Sequence, residues 1–230
     1  MKTILIIPYR DRQSHLDFFL KHSWSKLKEK NKDMEIIIVE QQKGKKFNRG
    51  ATINIGYLYY NNIDNYYITQ DVDTNPKKNE TFDMYNYKPD DNNFLSIYSA
   101  PCGLGGIIKF KGSTFKKVNG FPNDFWGWGS EDKALHNRAT FLGCTVKRLI
   151  NCNEERANIR RGLPSYLNIL KHAGPPMNHR TFNYAFNIWN NLPEPKKKKI
   201  IKNNGLSTLK YEILKDELLM ENVRKIIVKI

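Results

Sequence analysis

Short apolar runs alternate with amphipathic stretches through the first seventy residues. Thr3 to Ile7 is a continuous run rich in β-branched residues, the pattern of a strand buried on both faces. Pro8 ends it. Leu16, Phe19, Leu20, Trp24 and Leu27 then recur at helical spacing. Met34 to Val39 reads as a second buried strand, followed by the polar loop Glu40-Gln-Gln-Lys-Gly-Lys-Lys. Phe47-Asn-Arg-Gly leads into a second helix through Ala51, Ile55, Leu58 and Tyr59, and Tyr66 to Thr69 is a third strand. Strand, helix, strand, helix, strand predicts an α/β fold with a parallel sheet of the nucleotide-binding kind. Beyond it the pattern weakens. Phe82 to Asn93 is polar, Tyr-rich and expected to be a loop. Phe94 to Ser99 and Gly105 to Phe110 read as strands around Ala-Pro-Cys-Gly-Leu, and Gly112 opens a short helix ending at Val118. No internal repeat is present.

Asn119 to Asp132 departs from all of these patterns. It reads Asn-Gly-Phe-Pro-Asn-Asp-Phe-Trp-Gly-Trp-Gly-Ser-Glu-Asp, a Gly- and Pro-punctuated loop holding two Trp. Glu131 and Asp132 then open a helical pattern with Ser130 at the N-cap position, where first-turn acids suit the helix dipole. Such a loop delivers two carboxylates to the mouth of a pocket, a suitable place for a general base beside a polyhydroxylated substrate. On these residues alone, a capped helix with a Trp-rich packing loop is the simpler reading.

Composition narrows the classes. With 230 residues and 40% apolar content, a single folded domain is expected. There are 38 Lys plus Arg against 23 Asp plus Glu, a net charge of +15. That balance favours a polyanionic partner such as a nucleoside diphosphate, although much of the excess, Lys196 to Lys199 included, fits a solvated surface. Cys102, Cys144 and Cys152 form neither a metal spacing nor an even framework, which fits a reducing compartment. No signal peptide or membrane-spanning run is seen, so a soluble, cytoplasmic protein is expected.

Candidate chemistry sits at the ends of the predicted strands. Arg10 and Arg12 follow the first, where open α/β sheets bind ligands. The third ends in Asp71-Val-Asp73. Carboxylates at i and i+2 on an extended segment face one way and suit Mn²⁺ or Mg²⁺, which in turn bridge phosphates. Gly105-Gly106 would let a ligand approach the backbone, or form an ordinary turn. Neither a Gly-x-Gly-x-x-Gly nor a Walker pattern occurs, which disfavours hydride transfer and P-loop hydrolysis.

Pro8-Tyr-Arg-Asp-Arg, Phe47-Asn-Arg, Asp71-Val-Asp, Gly105-Gly, Asn119-Gly-Phe-Pro-Asn and Trp126-Gly-Trp-Gly-Ser-Glu-Asp occur in this order. The series resembles the catalytic domain of the β-1,4-galactosyltransferase family, from about residue 4 to about residue 214, weakly between 145 and 200. The resemblance implies a GT-A fold, with a mixed, mainly parallel central sheet flanked by helices. It also implies inverting, metal-dependent transfer of a hexose, galactose first, from a UDP-sugar to a sugar hydroxyl of a glycan or glycoconjugate. One catalytic domain is expected, residues 1–75 forming the nucleotide-binding half and 76–230 the acceptor-binding half. Carried over residue by residue, Pro8, Tyr9, Arg10, Arg12, Phe47 and Arg49 match positions that hold UDP. Asp71 and Asp73 match the metal-binding acidic pair, with Asp73 the direct ligand, and Gly106 belongs to the donor site. Trp128 matches the Trp that covers donor and acceptor, Asp132 the catalytic base, and Glu131 its neighbour at the sugar hydroxyls. Ile169-Leu-Lys-His172 keeps the His of the family's closing metal motif and loses its Met, so His172 is the expected second metal ligand and His179 the reserve.

Two departures bear on specificity. Lys133 stands where the family has a further acid, which makes an anionic acceptor conceivable. Gly103 stands where galactose-specific members have Tyr, which is expected to widen the donor pocket near the sugar's 2-position. An N-acetylhexosaminyltransferase using UDP-GalNAc or UDP-GlcNAc is therefore the alternative enzyme. A catalytically silent sugar- or nucleotide-binding module is the alternative class. Nucleic acid is not an expected partner, because no aromatic-plus-basic RNA motif appears.

Overall fold

A computed structural model describes residues 1–171, 174 and 176–230. At its centre, β1 (Thr3–Tyr9) lies parallel to β2 (Met34–Gln41) on one side and β3 (Tyr66–Gln70) on the other. Neighbouring side chains of β1 enter opposite cores, as the period of two demands. Leu5 and Ile7 pack with Leu16, Phe19 and Trp24, from α1 (Gln13–Phe19) and the π turn after it, and with Leu27 of α2 (Ser25–Lys30). Ile4 and Ile6 pack with Ile53, Ile55 and Tyr57 of α3 (Arg49–Tyr60). Burial on both faces is why β1 to β3 read as unbroken apolar runs.

The rest of the chain adds antiparallel strands and a short second sheet. After β3, β4 (Thr74–Pro76) and α4 (Asn79–Met84) lead to β5 (Asn93–Tyr98) and β6 (Ile107–Lys111). The helix α4 corrects the loop expected from Phe82, whose side chain is buried in the first core. Next come α5 (Gly112–Lys117), α6 (Glu131–Phe141), β7 (Thr145–Arg148), α7 (Cys152–Arg161) and β8 (Leu167–Ile169). They are followed by α8 (His179–Asn183), α9 (Glu194–Asn203), β9 (Glu212–Met220) and β10 (Val223–Lys229). The main sheet runs β7-β5-β6-β3-β1-β2-β10-β9 and is mixed. β4 and β8 pair separately, and that pairing carries the segment after β8 back beside the end of β3. The β9–β10 hairpin was not anticipated, although Val223-Arg-Lys-Ile-Ile-Val after the turn at Asn222 carries a strand pattern. Among the described residues, no helix is long and apolar enough to cross a membrane.

Candidate active site

Strand ends and helix starts converge on one cavity of about 1240 Å³. Pro8, Arg10 and Arg12 reach it from the carboxyl end of β1, Asp71 and Asp73 from that of β3, and Phe47 and Arg49 from the entry to α3. Gly106, Trp128, Glu131 and Asp132 complete it from the opposite side in sequence. Tyr9 does not join them. It is buried in the first core, donates to Gln13 Oε1 at 3.2 Å and lies under Lys225. Alternation explains the difference, since neighbours on a strand face opposite ways.

The acidic pair lies in a turn between β3 and β4, closed by Thr74 N–H donating to the Asp71 carbonyl at 3.0 Å, and not on the extended segment expected. Each carboxylate meets its own guanidinium. Arg12 Nη1 donates to Asp73 Oδ2 at 2.7 Å, and Arg49 Nε to Asp71 Oδ1 at 2.6 Å. Arg49 Nη1 also lies 3.5 Å from Glu131 Oε1, linking the acidic turn to the start of α6. Burial opposes the Arg49 charge, but Asp71, Glu131 and Asp132 together outweigh it and raise its pKa. Burial first, then the Asp132 charge, pushes the Glu131 pKa up to about 7, against the pull of Arg49.

Hard carboxylate oxygens beside arginines fit a divalent cation and a diphosphate in kind, and Arg49 Nη2 is a buried donor without a hydrogen-bond partner among the described residues. No group of three or more metal-ligating side chains forms among the described residues. Leu170 N–H donates to the Asp73 carbonyl at 2.8 Å, which ties the end of β8 to the acidic turn. His172, expected as a metal ligand, lies outside the described residues. His179, the reserve, opens α8 on the exposed surface.

The aromatic loop is built from pinned turns. Asn54, fully buried on α3, accepts from Phe121 N–H at 2.9 Å and donates to the Phe121 carbonyl at 2.8 Å. Asn48 caps α3 through Ala51 N–H and donates to the Asn123 carbonyl at 2.7 Å. Asn119 and Gly120 both take positive φ, and the Gly205–Thr208 turn docks on them through Leu206 N–H to the Asn119 carbonyl at 3.0 Å. Past this anchor, Trp128 is 57% exposed over the cavity, free to cover a ligand. Ser130 precedes α6 with φ 67° and makes no side-chain cap, contrary to expectation.

The Asp132 carboxylate is held at both oxygens' surroundings. Oδ1 accepts from Lys133 N–H at 2.7 Å, and a Cβ placed on Gly103 or Gly105 would lie 2.6 or 3.0 Å from Oδ2. The space before Gly103 is therefore filled by Asp132, where a widened donor pocket was expected. Gly106 needs to be Gly for another reason: its φ is +67° and a Cβ would meet the Tyr98 carbonyl at 2.5 Å. Sequence reasoning passed over Arg156 and Arg160 of α7 and Phe182 and Phe186 near α8, all of which line the cavity. Their helical spacing is visible in the sequence, but it is equally that of a solvated face.

Comparisons with known proteins bear on the family and the fold. Residues 1–87 match the family model for the N-terminal region of glycosyl transferase group 7, and residues 92–160 that for the N-terminal domain of galactosyltransferase. The chain is 31% identical over 158 residues to human β-1,4-galactosyltransferase 4, covering 64% of this chain and 45% of the relative. It is 35% identical over 155 residues to the β-N-acetyl-D-glucosaminide β-1,4-N-acetylglucosaminyl-transferase of Lymnaea stagnalis, covering 64% of this chain and 32% of that one. The matched region thus spans less than half the length of these curated relatives. The fold superimposes on a mutant of Drosophila β-1,4-galactosyltransferase 7, crystallised with manganese, UDP-Gal and xylobiose, with TM-score 0.74 and 24% identity over 100% of this chain and 94% of that one. On its fold, its ordered motifs and these matches, the chain belongs to the β-1,4-galactosyltransferase family of glycosyltransferases.

Proposed function

We propose that the chain is an inverting, metal-dependent transferase that moves a hexose, galactose first, from a UDP-sugar to a sugar hydroxyl of a glycan or glycoconjugate. The observation that carries this reading is the common cavity of Asp132 and Glu131 with Asp71, Asp73, Arg10, Arg12 and Arg49. Residues 1–75 supply the nucleotide-binding half and 76–230 the acceptor half of one catalytic domain.

In this reading Asp132 accepts the proton of the acceptor hydroxyl as that oxygen attacks the anomeric carbon from the side opposite UDP. The new glycosidic bond forms as the bond to UDP breaks, and its electron pair leaves with the diphosphate. Arg10 and Arg12 stabilise the charge that develops there. Arg10 is positioned by its bond to the Lys45 carbonyl at 2.7 Å and by stacking over Phe47. Arg49 bridges Asp71 and Glu131 and so links the donor-side carboxylate to the acceptor-side one. Asp73 would hold Mn²⁺, or Mg²⁺, which when bound supplies charge neutralisation for the leaving diphosphate.

An N-acetylhexosamine donor is the second reading, favoured by the Lymnaea relative, named as an N-acetylglucosaminyl-transferase. A donor-hydrolysis screen with Mn²⁺ over UDP-Gal, UDP-Glc, UDP-GalNAc, UDP-GlcNAc and UDP-Xyl tests both. Hydrolysis of UDP-Gal above the others supports the first, and preference for an N-acetylated donor supports the second. Binding without turnover of any donor would point to a silent binding module.

A further inference from the structure

The acids lining the cavity are Asp11, Asp71, Asp73, Glu131 and Asp132. Four are already paired: Asp11 with Lys43, Asp71 and Glu131 with Arg49, and Asp73 with Arg12. Asp132 alone has no ion-pair partner among the described residues. Of the lining cations that form no salt bridge among the described residues (Arg10, Lys133, Arg156, Arg160 and Lys171), Lys133 follows Asp132 in the chain and Arg156 feels its charge. Arg156 and Arg160 are one turn apart on a single face of α7, with Ile159 between them on the same wall. Arg156 Nε donates to the Tyr98 hydroxyl at 3.2 Å, which leaves the other guanidinium nitrogens for a ligand. Lys133 Nζ lies 5.5 Å from the centre of the Phe186 ring, and Phe186 stacks on Phe182 at 4.5 Å between centroids. An apolar ring pair with Lys133 over it, in one cavity with Arg156, Arg160 and the carboxylate that would take the acceptor's proton, describes a particular ligand. The rings suit a pyranose face, and the cations suit an acid group on that sugar or on its neighbour.

We infer that the acceptor is an acidic saccharide, carrying a carboxylate, sulfate or phosphate, gripped by Lys133, Arg156 and Arg160 above the Phe182–Phe186 platform. The inference rests on the transferase reading given above and deepens it. Arg12 answers Asp73, and Arg49 answers Asp71 and Glu131, whereas Lys133 and Arg160 form no salt bridge among the described residues and Arg156 feels Asp132 without a salt bridge to it; an acid on the acceptor would answer all three.

The test compares acceptors that differ by one group. N-acetylglucosamine is set against its 6-sulfate and its 6-phosphate, and a xylose-ended disaccharide against a glucuronate-ended one. Each is assayed with UDP-Gal and Mn²⁺ in the parent chain and in Lys133→Gln and Arg160→Gln. The sulfate, phosphate and carboxylate arms identify which acid is meant. One acidic acceptor should exceed its neutral counterpart by about tenfold in kcat/KM, the scale of one charge-assisted hydrogen bond. That ratio should shrink towards one in either variant and at about 0.5 M salt. Ratios within about twofold for every pair, in a chain that hydrolyses UDP-sugar, would overturn the inference while leaving the transferase reading standing. So would a preference that both variants keep. Loss of UDP affinity in the variants would assign these cations to the donor diphosphate and overturn it as well. Absence of both hydrolysis and transfer with every donor would remove the transferase reading itself and the acceptor inference with it.

Discussion

The Asp132 carboxylate occupies the space into which a side chain at Gly103 would grow, with Oδ2 only 2.6 Å from the position of that missing Cβ. A carboxylate tip can swing aside, so a substitution here costs little stability. It moves the proposed base, however, and displacement of a reacting group by about 1 Å can cost two orders of magnitude in rate. Gly103→Ala should lower turnover by about tenfold or more, and Gly103→Tyr should lower it further, with UDP affinity held. Unchanged turnover of UDP-Gal in Gly103→Tyr would show that Asp132 does not sit against Gly103 during transfer.

Asp132→Asn removes the proposed proton acceptor and keeps the shape. Turnover should fall by about a hundredfold or more, while UDP affinity measured by calorimetry stays close to that of the parent. If both fell together, Asp132 would be holding the loop and not the proton.

Asp73→Ala should abolish transfer and weaken UDP binding chiefly when Mn²⁺ is present. The Asp73 carboxylate lies in the turn after β3, bonded to Arg12, at the proposed nucleotide end. Titrations of UDP with Mn²⁺ and with chelator decide the matter. Equal losses in both would assign Asp73 to positioning Arg12.

Glu131 makes stability depend on pH. Its pKa rises from 4.5 to about 7, chiefly through burial and then through Asp132. The folded chain therefore binds the proton more tightly than the unfolded chain. The stabilisation is complete below pH 4.5 and is lost as pH rises through about 7, at most about 3 kcal/mol. Urea midpoints of the ligand-free protein across this window should fall more steeply in the parent than in Glu131→Gln. Parallel curves would show that Glu131 titrates normally.

Gly205 seats the closing turn against the aromatic loop. Its φ is +154°, and a Cβ would lie 1.9 Å from the Asn119 carbonyl oxygen, which is backbone and cannot swing away. Gly205→Ala should destabilise the fold by about 2 kcal/mol or more, seen as a lower urea midpoint. An unaltered midpoint would show that the Gly205 turn docks loosely.

The sequence by itself determined β1 to β3 and the helices between them, because a strand buried on both faces must be apolar without interruption. It also determined the ordered motifs, which tie Arg10, Asp71, Trp128 and Asp132 to specific chain positions whatever the packing. The tertiary structure decided what those motifs meet. Tyr9 turns into the core because it alternates with Pro8 and Arg10, and no pattern of residue types says which neighbour faces the cavity. Phe82 lies in a helix within a polar stretch, because burial under β1 and α2 outweighs local composition. Gly103 looked like vacant volume, and only the fold shows that Asp132, 29 positions on, fills it. Arg156 and Arg160 carry the spacing of an ordinary exposed helix face, and it is the placement of α7 against the cavity that turns them towards the proposed acceptor. Local sequence sets which chemistry a residue can offer; contacts between residues far apart in the chain set where that chemistry is aimed.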